Sequence, residues 1–495
     1  MALYFEESHK KSTISQNIAG DKAVIIGRKS ECEDLTDVLN RPESQLVAVY
    51  GRRRVGKTFL IREFFGNRFT FYHTGMHGCS MKEQLLAFRD SLVQYGQQPA
   101  KTIDNWREAF LCLRQLIESS NGNGKKVIFL DELPWMDTFR SNFLASLEYF
   151  WNSWASSRKD IIMIVCGSAT SWVINKVLKN HGGLYNRVTE RLPLKPFTLQ
   201  ECEQYSVENG LSLTRREICS YYMVFGGVPF YWSLLKKSLS VPQNIDRLFF
   251  HDGGKLRNEY DELFSSLFAD ADGYREIANA LSKAARGISR AELKELSGIQ
   301  EGGKLSERLA TLEECGFIRK YLSIGKSRKD ALYQLLDNLV LFYFKFLKDR
   351  KINDEHFWSN NYLSPKHNSW AGLAFEHLCL HHIQQIKHSL QIGGILSNTY
   401  SWIHRPDAVH PEGAQIDLLI DRADNVINLC EIKYSKGKFT PDKTFIDELN
   451  RKRQVFAEVT KTRKSIHLTL ITTDGIVDNG YAREIQSIVT LDDLF

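Results

Sequence analysis

Gly51-Arg-Arg-Arg-Val-Gly-Lys-Thr58 fits the spacing G-x-x-x-x-G-K-[ST] in full. Such a loop does one kind of chemistry. Its glycines let backbone N–H groups turn inward around phosphate oxygens, its lysine reaches the β- and γ-phosphates, and its last hydroxyl can ligate magnesium. The strand-like run LVAVY precedes it and the helical run FLIREFF follows it, which is the setting this chemistry needs. The nucleotide-binding residues expected are therefore Gly51, Arg52, Arg53, Arg54, Val55, Gly56, Lys57, Thr58 and Phe59.

Phosphoryl transfer also needs an acid that holds magnesium. VIFLDE supplies Asp131 at the end of an apolar run, with Glu132 beside it to polarise an attacking water. Thr58 and Asp131 are the expected magnesium ligands, Lys57 and Glu132 the expected catalytic groups, and ATP with Mg2+ the expected cofactors. IIMIVCGS ends at Ser168, whose hydroxyl would lie near the γ-phosphate if its strand flanks the strand before the glycine-rich loop; the competing reading is an ordinary helix cap. Arg187, in LYNRV, is a candidate to stabilise charge developing on the γ-phosphate, in cis or across a subunit boundary; the competing reading is an exposed surface arginine.

A second set of acids lies near the C-terminus. Glu376 falls in the helical stretch AGLAFEHLCLHHI, Asp417 in the strand-like AQIDLLI, and Glu431 and Lys433 in LCEIKYS. Residues two apart on a strand point the same way, so Glu431 and Lys433 share a face, and Asp417 on the preceding strand can join them. Oxygen donors of this kind suit magnesium, with Asp417 and Glu431 as ligands, and the lysine can orient water or bind phosphate. An inactive or chance constellation is the alternative. His377, His381 and His382 have no cysteine or acid at metal-ligand spacing and read as ordinary helix histidines.

Two kinds of periodicity must position these groups. From 23 to 199, apolar runs of strand length alternate with amphipathic stretches, the pattern of a parallel sheet covered by helices. The period turns helical over 200–262, an expected lid. Over 263–348, three short helices and a hairpin predict a winged helix, with Lys304 and Arg308 on its third helix and Lys326, Arg328 and Lys329 in its wing, where DNA would be met. A packing module with solvated lysines is the alternative reading. A polar linker is expected over 349–365, a further α/β unit over 366–495, and a loose tail over 1–22.

Composition narrows the classes without choosing among them. The 495 residues are 43% hydrophobic and 25% charged, the balance of folded soluble chains, and the length exceeds one core. Net charge is +6, which permits nucleic acid without requiring it. Nine cysteines with no C-x-x-C pair predict neither a disulfide framework nor a zinc ribbon, and fit a reducing cytoplasm. No run approaches the roughly 20 apolar residues of a membrane span, and the N-terminus carries no signal-peptide pattern.

Taken in order, IIGRKSECEDL, the glycine-rich loop, LDELPWM, VCGSATSWV, LYNRV, LPLKPFTLQE and FGGVPFY resemble the archaeal-type ATPases of the STAND-related branch of AAA-like P-loop proteins, a subset of which carry a winged helix and a nuclease-like domain. That resemblance implies a role for Gly27 and Arg28 near the adenine, and for Gly226, Gly227 and Pro229 in a nucleotide-sensing lid. Asp417, Glu431 and Lys433 resemble the catalytic positions of PD-(D/E)XK nucleases and Glu376 their helical acid, although Gln415-Ile416 stands before Asp417 where a proline is usual. The fold class so implied is α/β: a P-loop NTPase parallel sheet with a helical lid, then a winged helix, then a C-terminal α/β restriction-endonuclease-like domain. The function expected is ATP hydrolysis with DNA as partner, either by a magnesium-dependent nuclease or by a nucleotide-controlled switch whose C-terminal fold only binds; a homo-oligomer is compatible with both.

Overall fold

The computed structural model describes residues 24–99, 101–122, 124–178, 184, 186–268, 270–284, 287–299, 302–322, 324, 331–348 and 354–495. The expected tail, 1–22, and Lys326, Arg328 and Lys329 of the expected wing lie outside the described residues. Packing divides the described chain into two compact units: residues up to Gly51 with Gly56–Ser168 and Trp172–Leu194, and Arg52–Val55 with Ala169–Ser171 and Lys195–Phe495.

The first unit contains helix α1 (Lys29–Asn40), strand β1 (Gln45–Tyr50), α2 (Lys57–Phe64), β2 (Phe71–Thr74), α3 (Met81–Gln94), α4 (Trp106–Ser119), β3 (Lys126–Asp131), α5 (Phe143–Ser153), β4 (Ile161–Gly167) and β5 (Glu190–Pro193). The strands form one parallel sheet in the order β2-β3-β4-β1-β5. β3 and β4 are buried at every residue, which is why they read as nearly continuous apolar runs, VIFL and IIMIVC. Helix starts are set locally: Ser80 and Glu83 form a capping box at α3, and the Asn105 side chain accepts from the Glu108 N–H at α4. Beneath the sheet Trp106 meets Phe143 edge to face, with ring centroids 4.8 Å apart.

The second unit begins with α6 (Leu199–Glu208) and α7 (Arg215–Phe225), each opened by a Thr–Glu capping box. There follow α8 (Ala271–Ser282), β6 (Ile288–Ser289), α9 (Arg290–Ser297), α10 (Gly303–Glu314), β7 (Ile318–Tyr321) and β8 (Leu332–Leu335), in which the three strands make an antiparallel sheet ordered β6-β8-β7. Within the stretch expected as a polar linker, Phe357–Asn361 is a helix, α11, and Trp358 is buried against Phe342, Phe346 and Trp370. The chain ends with α12 (Pro365–His381), β9 (Ser397–His404), β10 (Ala414–Arg422), β11 (Val426–Lys433), α13 (Lys443–Thr460), β12 (Ser465–Thr472) and β13 (Ser487–Thr490). Their sheet is mixed, ordered β13-β12-β11-β10-β9, with β11, β12 and β13 parallel and the β9-β10-β11 edge antiparallel. Among the described residues no helix is long and apolar enough to cross a membrane.

Candidate functional site

Three strand ends of the first unit converge on the turn between β1 and α2. Gly51, at φ 148°, has no room for a side chain, because a Cβ there would lie 2.2 Å from the Leu194 carbonyl oxygen; Gly56, at φ 89°, opens α2 in a left-handed conformation. The turn delivers Lys57 and Thr58 to the first residues of α2. The Lys57 ammonium donates to the Gly51 carbonyl at 2.9 Å and is buried. The Thr58 hydroxyl donates to Asp131 Oδ2 at 2.7 Å, and the other carboxylate oxygen accepts from the Glu132 N–H at 3.0 Å. Asp131 is thus held by its own strand end and by Thr58 at the start of α2, with its oxygens grouped beside a hydroxyl. β4 pairs with both β1 and β3, so Ser168, just past its end, reaches Glu132. Glu132 itself sits at φ 48°, a left-handed backbone that aims its carboxylate back toward β4. Burial, and then the Asp131 charge, push the neighbouring Cys166 thiol well above its usual range, so it is no nucleophile.

Residues 26–235, which hold every one of these groups, match the family described as an ATPase domain predominantly from Archaea. The chain carries an ATPase domain, and the protein is an ATP-hydrolysing enzyme. Over most of its length it is also similar to an uncharacterized protein of Methanocaldococcus jannaschii, at 23% identity across 87% of this chain and 92% of that one. Among solved structures, it is similar to a Walker-type ATPase of Pyrococcus abyssi (18% identity, 66% of this chain, 99% of that chain, TM-score 0.46). It is also similar to a Signal Transduction ATPase with Numerous Domains bearing a tetratricopeptide repeat sensor, from Pyrococcus horikoshii (16% identity, 76% of this chain, 54% of that chain, TM-score 0.32).

The remaining residues expected around the nucleotide of the ATPase domain are placed as follows. Gly27 and Arg28 precede α1, where Arg28 is buried and pairs with Glu31 at 3.5 Å. Arg187 is exposed in the turn before β5, and Phe59 is exposed on α2. Arg53 is half-buried and Val55 fully so. Residues 52–55 pack with the second unit, in which the Arg52 guanidinium pairs with Asp337 and lies 5.4 Å from the Phe317 ring, while Arg54 pairs with Glu259 and stacks 4.3 Å over Phe230. The two side chains are thus committed to acids and rings, which leaves the backbone N–H groups of Arg52 and Arg54 as what these two positions can offer a phosphate.

In the second unit the C-terminal acids lie together. Glu431 and Lys433 share one face of β11, with the Lys433 ammonium 2.9 Å from Glu431 Oε1. Asp417 lies where β10 slips register against β9, between Ile416 and Leu419, a bulge that re-aims side chains at this point of the strand. The Gln415 amide donates to Asp417 Oδ1 at 2.8 Å. Glu376, on α12, faces the same group: burial, then the charges of Asp417 and Glu431, raise its carboxyl to about 8. Burial likewise raises Asp417, and the Glu431 charge adds to it. Burial works against the charge on Lys433, but Glu431 outweighs it and the ammonium is held more firmly than usual. The donors available here are all carboxylate oxygens, the kind that hard divalent cations take. Among the described residues, however, no three His, Cys, Asp or Glu side chains stand in a ready-made metal cage.

Four side chains of this group are not legible in the sequence. Lys452, from α13, places its ammonium 2.9 Å from Glu431 Oε2. Gln415 stands out in the sequence only for its place near an absent proline. Arg319, on β7, donates to Ser401 Oγ at 3.0 Å, and Ser401 in turn donates to the Asp417 carbonyl at 2.5 Å. Their sequence neighbourhoods carry no motif, and only a sheet register could have joined them. Two of the three helix histidines are packed groups: burial lowers His377 to about 3 and His382 to about 4, and His382 accepts from the Leu199 N–H at 3.1 Å, whereas His381 is exposed and lies 3.3 Å from the Leu336 carbonyl.

Proposed function

We propose that this protein is an ATP-driven, DNA-associated enzyme in which the ATPase domain works with a winged helix at 263–348 and a magnesium-dependent PD-(D/E)XK-type nuclease domain at 366–495. The observation that carries the reading is the grouping of Asp417, Glu431, Lys433 and Glu376 at one end of β10 and β11. In the ATPase domain, Lys57 would neutralise the β- and γ-phosphates, Thr58 and Asp131 would hold Mg2+, and Glu132, steadied by Ser168, would draw the proton from the attacking water. Magnesium supplies charge neutralisation there and, in the C-terminal site, polarisation of a phosphodiester and of water. At the latter, Asp417 and Glu431 would hold the ion and Lys433 would face the phosphate. The order helix, short strand, two helices, hairpin over 271–335 supports the winged helix.

Plasmid digestion with Mg2+ by the wild type and by Glu431→Ala tests the reading. Cutting that disappears in the variant supports it. A nucleotide-controlled switch whose C-terminal domain binds without cutting is favoured instead by the pairing of both Glu431 oxygens with lysines, and an absence of cutting by either protein would select it.

A further inference from the structure

Glu431 is 5% exposed and holds two ammonium groups, Lys433 on Oε1 and Lys452 on Oε2, each at 2.9 Å. A divalent ion at the 2.0–2.1 Å of a magnesium–oxygen bond would stand close to both, and cation–cation repulsion at that range in a buried site would be severe. One lysine must withdraw when the ion enters. Lys433 has a second attachment, since its ammonium also lies 5.9 Å from the Phe445 ring. Lys452 instead lines a cleft of about 840 Å3, shared with His404, Arg405, Gln415, Asp417 and Arg451. The two arginines of that cleft are already committed, Arg405 to Glu292 and Arg451 to Glu448 at 2.7 Å and Glu412 at 3.4 Å. Among the described residues Lys452 has no carboxylate partner other than Glu431.

We infer that Lys452 is a phosphate-binding residue of the C-terminal site that stands in for the divalent ion on Glu431 Oε2 and turns into the cleft beside Asp417 when the ion displaces it. The released ammonium then meets a backbone phosphate of the nucleic-acid strand lying in the cleft, while Lys433 stays on Glu431. Filling the ion site and charging the cleft are thereby one event, so the cleft gains a cation only once the metal is present. The inference rests on the nucleic-acid reading above, but it makes claims about metal and phosphate binding that do not depend on cutting.

The test uses the full-length protein without nucleotide, titrated with Mn2+ alone, and with a fluorescent duplex oligonucleotide in Ca2+ and in EDTA. Lys452→Met keeps the aliphatic stem and removes the charge; Lys452→Arg keeps the charge. Lys452→Met is expected to bind Mn2+ at least about threefold more tightly, because the competing cation is gone. In Ca2+ the same variant is expected to lose affinity for the oligonucleotide and to lower the salt slope by about one, with Lys452→Arg restoring both. In EDTA the wild type and Lys452→Met are expected to bind the oligonucleotide alike. Unchanged or weaker Mn2+ binding by Lys452→Met overturns the inference, as does an equal loss of oligonucleotide with and without the divalent ion. Failure of the wild type to cut under Mg2+ overturns the nuclease reading alone.

Discussion

Glu132 accepts two hydrogen bonds from Ser168, the main-chain N–H to Oε2 at 3.0 Å and the hydroxyl to Oε1 at 2.5 Å. A carboxylate held from both sides cannot wander, and it remains an acceptor for one more proton donor, a water. Glu132→Gln preserves the shape and removes the base. Turnover is expected to fall by roughly 10²–10⁴-fold, the usual worth of a general base, while ATP affinity stays nearly unchanged. Phosphate release and titration with a fluorescent ATP analogue separate the two; a variant that turns over normally would remove Glu132 from the mechanism.

Lys57 and Thr58 should act on binding itself. ATP with Mg2+ at 100 times its Kd is expected to stabilise the wild type by about 2.7 kcal/mol, read as a rise in Tm. Lys57→Ala should lose most of that rise. Thr58→Ala should keep the rise given by ATP in EDTA and lose the increment added by Mg2+, because only the hydroxyl beside Asp131 is removed.

Legibility in the sequence followed burial and locality. β1, β3 and β4 are buried, apolar and continuous, and their runs are visible; β2 and β5 are four residues each, FYHT and ERLP, too short and too polar to show a period. The glycine-rich loop was readable because all its groups are adjacent in the chain. The C-terminal acids were readable only as an order of short motifs, since Asp417 owes its direction to a bulge and Lys452 comes from a helix with no signature. The neighbours that fix Arg52 and Arg54, Asp337 and Glu259, lie more than two hundred residues further along, beyond the reach of any spacing rule.

Gly227 was expected in a nucleotide-sensing lid, and the structure gives it a packing reason of its own. A Cβ there would stand 1.9 Å from the Phe197 carbonyl oxygen, and the Phe197 N–H donates to the Gly227 carbonyl at 2.6 Å. Gly227→Ala must push these backbones apart in the buried start of the second unit. A loss of about 1–3 kcal/mol is expected, the range for overpacking, together with a lower Tm whether or not ATP is present. A variant with wild-type Tm and altered nucleotide response would assign Gly227 to sensing instead.

On α10 the two basic residues expected to meet DNA are not equivalent. The Arg308 guanidinium is buried over Gly273 and donates to Asp270 at 2.5 Å, whereas Lys304 is 72% exposed and pairs with the same carboxylate at 3.0 Å. Arg308→Ala should lower Tm and leave the salt dependence of DNA binding unchanged. Lys304→Ala should spare Tm and weaken DNA binding about two- to threefold in low salt. Equal effects of the two on DNA would mean that Arg308 leaves its pocket to reach a phosphate.

Glu376 makes the folded protein sensitive to pH in a direction opposite to most carboxylates. In the unfolded chain it ionises near 4.5, whereas in the fold burial and the charges of Asp417 and Glu431 hold its proton up to about 8. Between those values folding takes up a proton, so its contribution to stability is complete below pH 4.5 and is lost as pH rises toward 8. Urea denaturation at about pH 5, 6.5 and 8 should therefore show the wild type losing stability relative to Glu376→Gln, whose amide needs no proton. The slope should end above about pH 8, and Glu376→Gln should keep a shallower one from Asp417, which burial also raises. Millimolar Mg2+ should flatten the wild-type slope, because a divalent ion among the three carboxylates favours their anions. Parallel stabilities of wild type and variant across the range would mean that Glu376 faces water and not the acid pair.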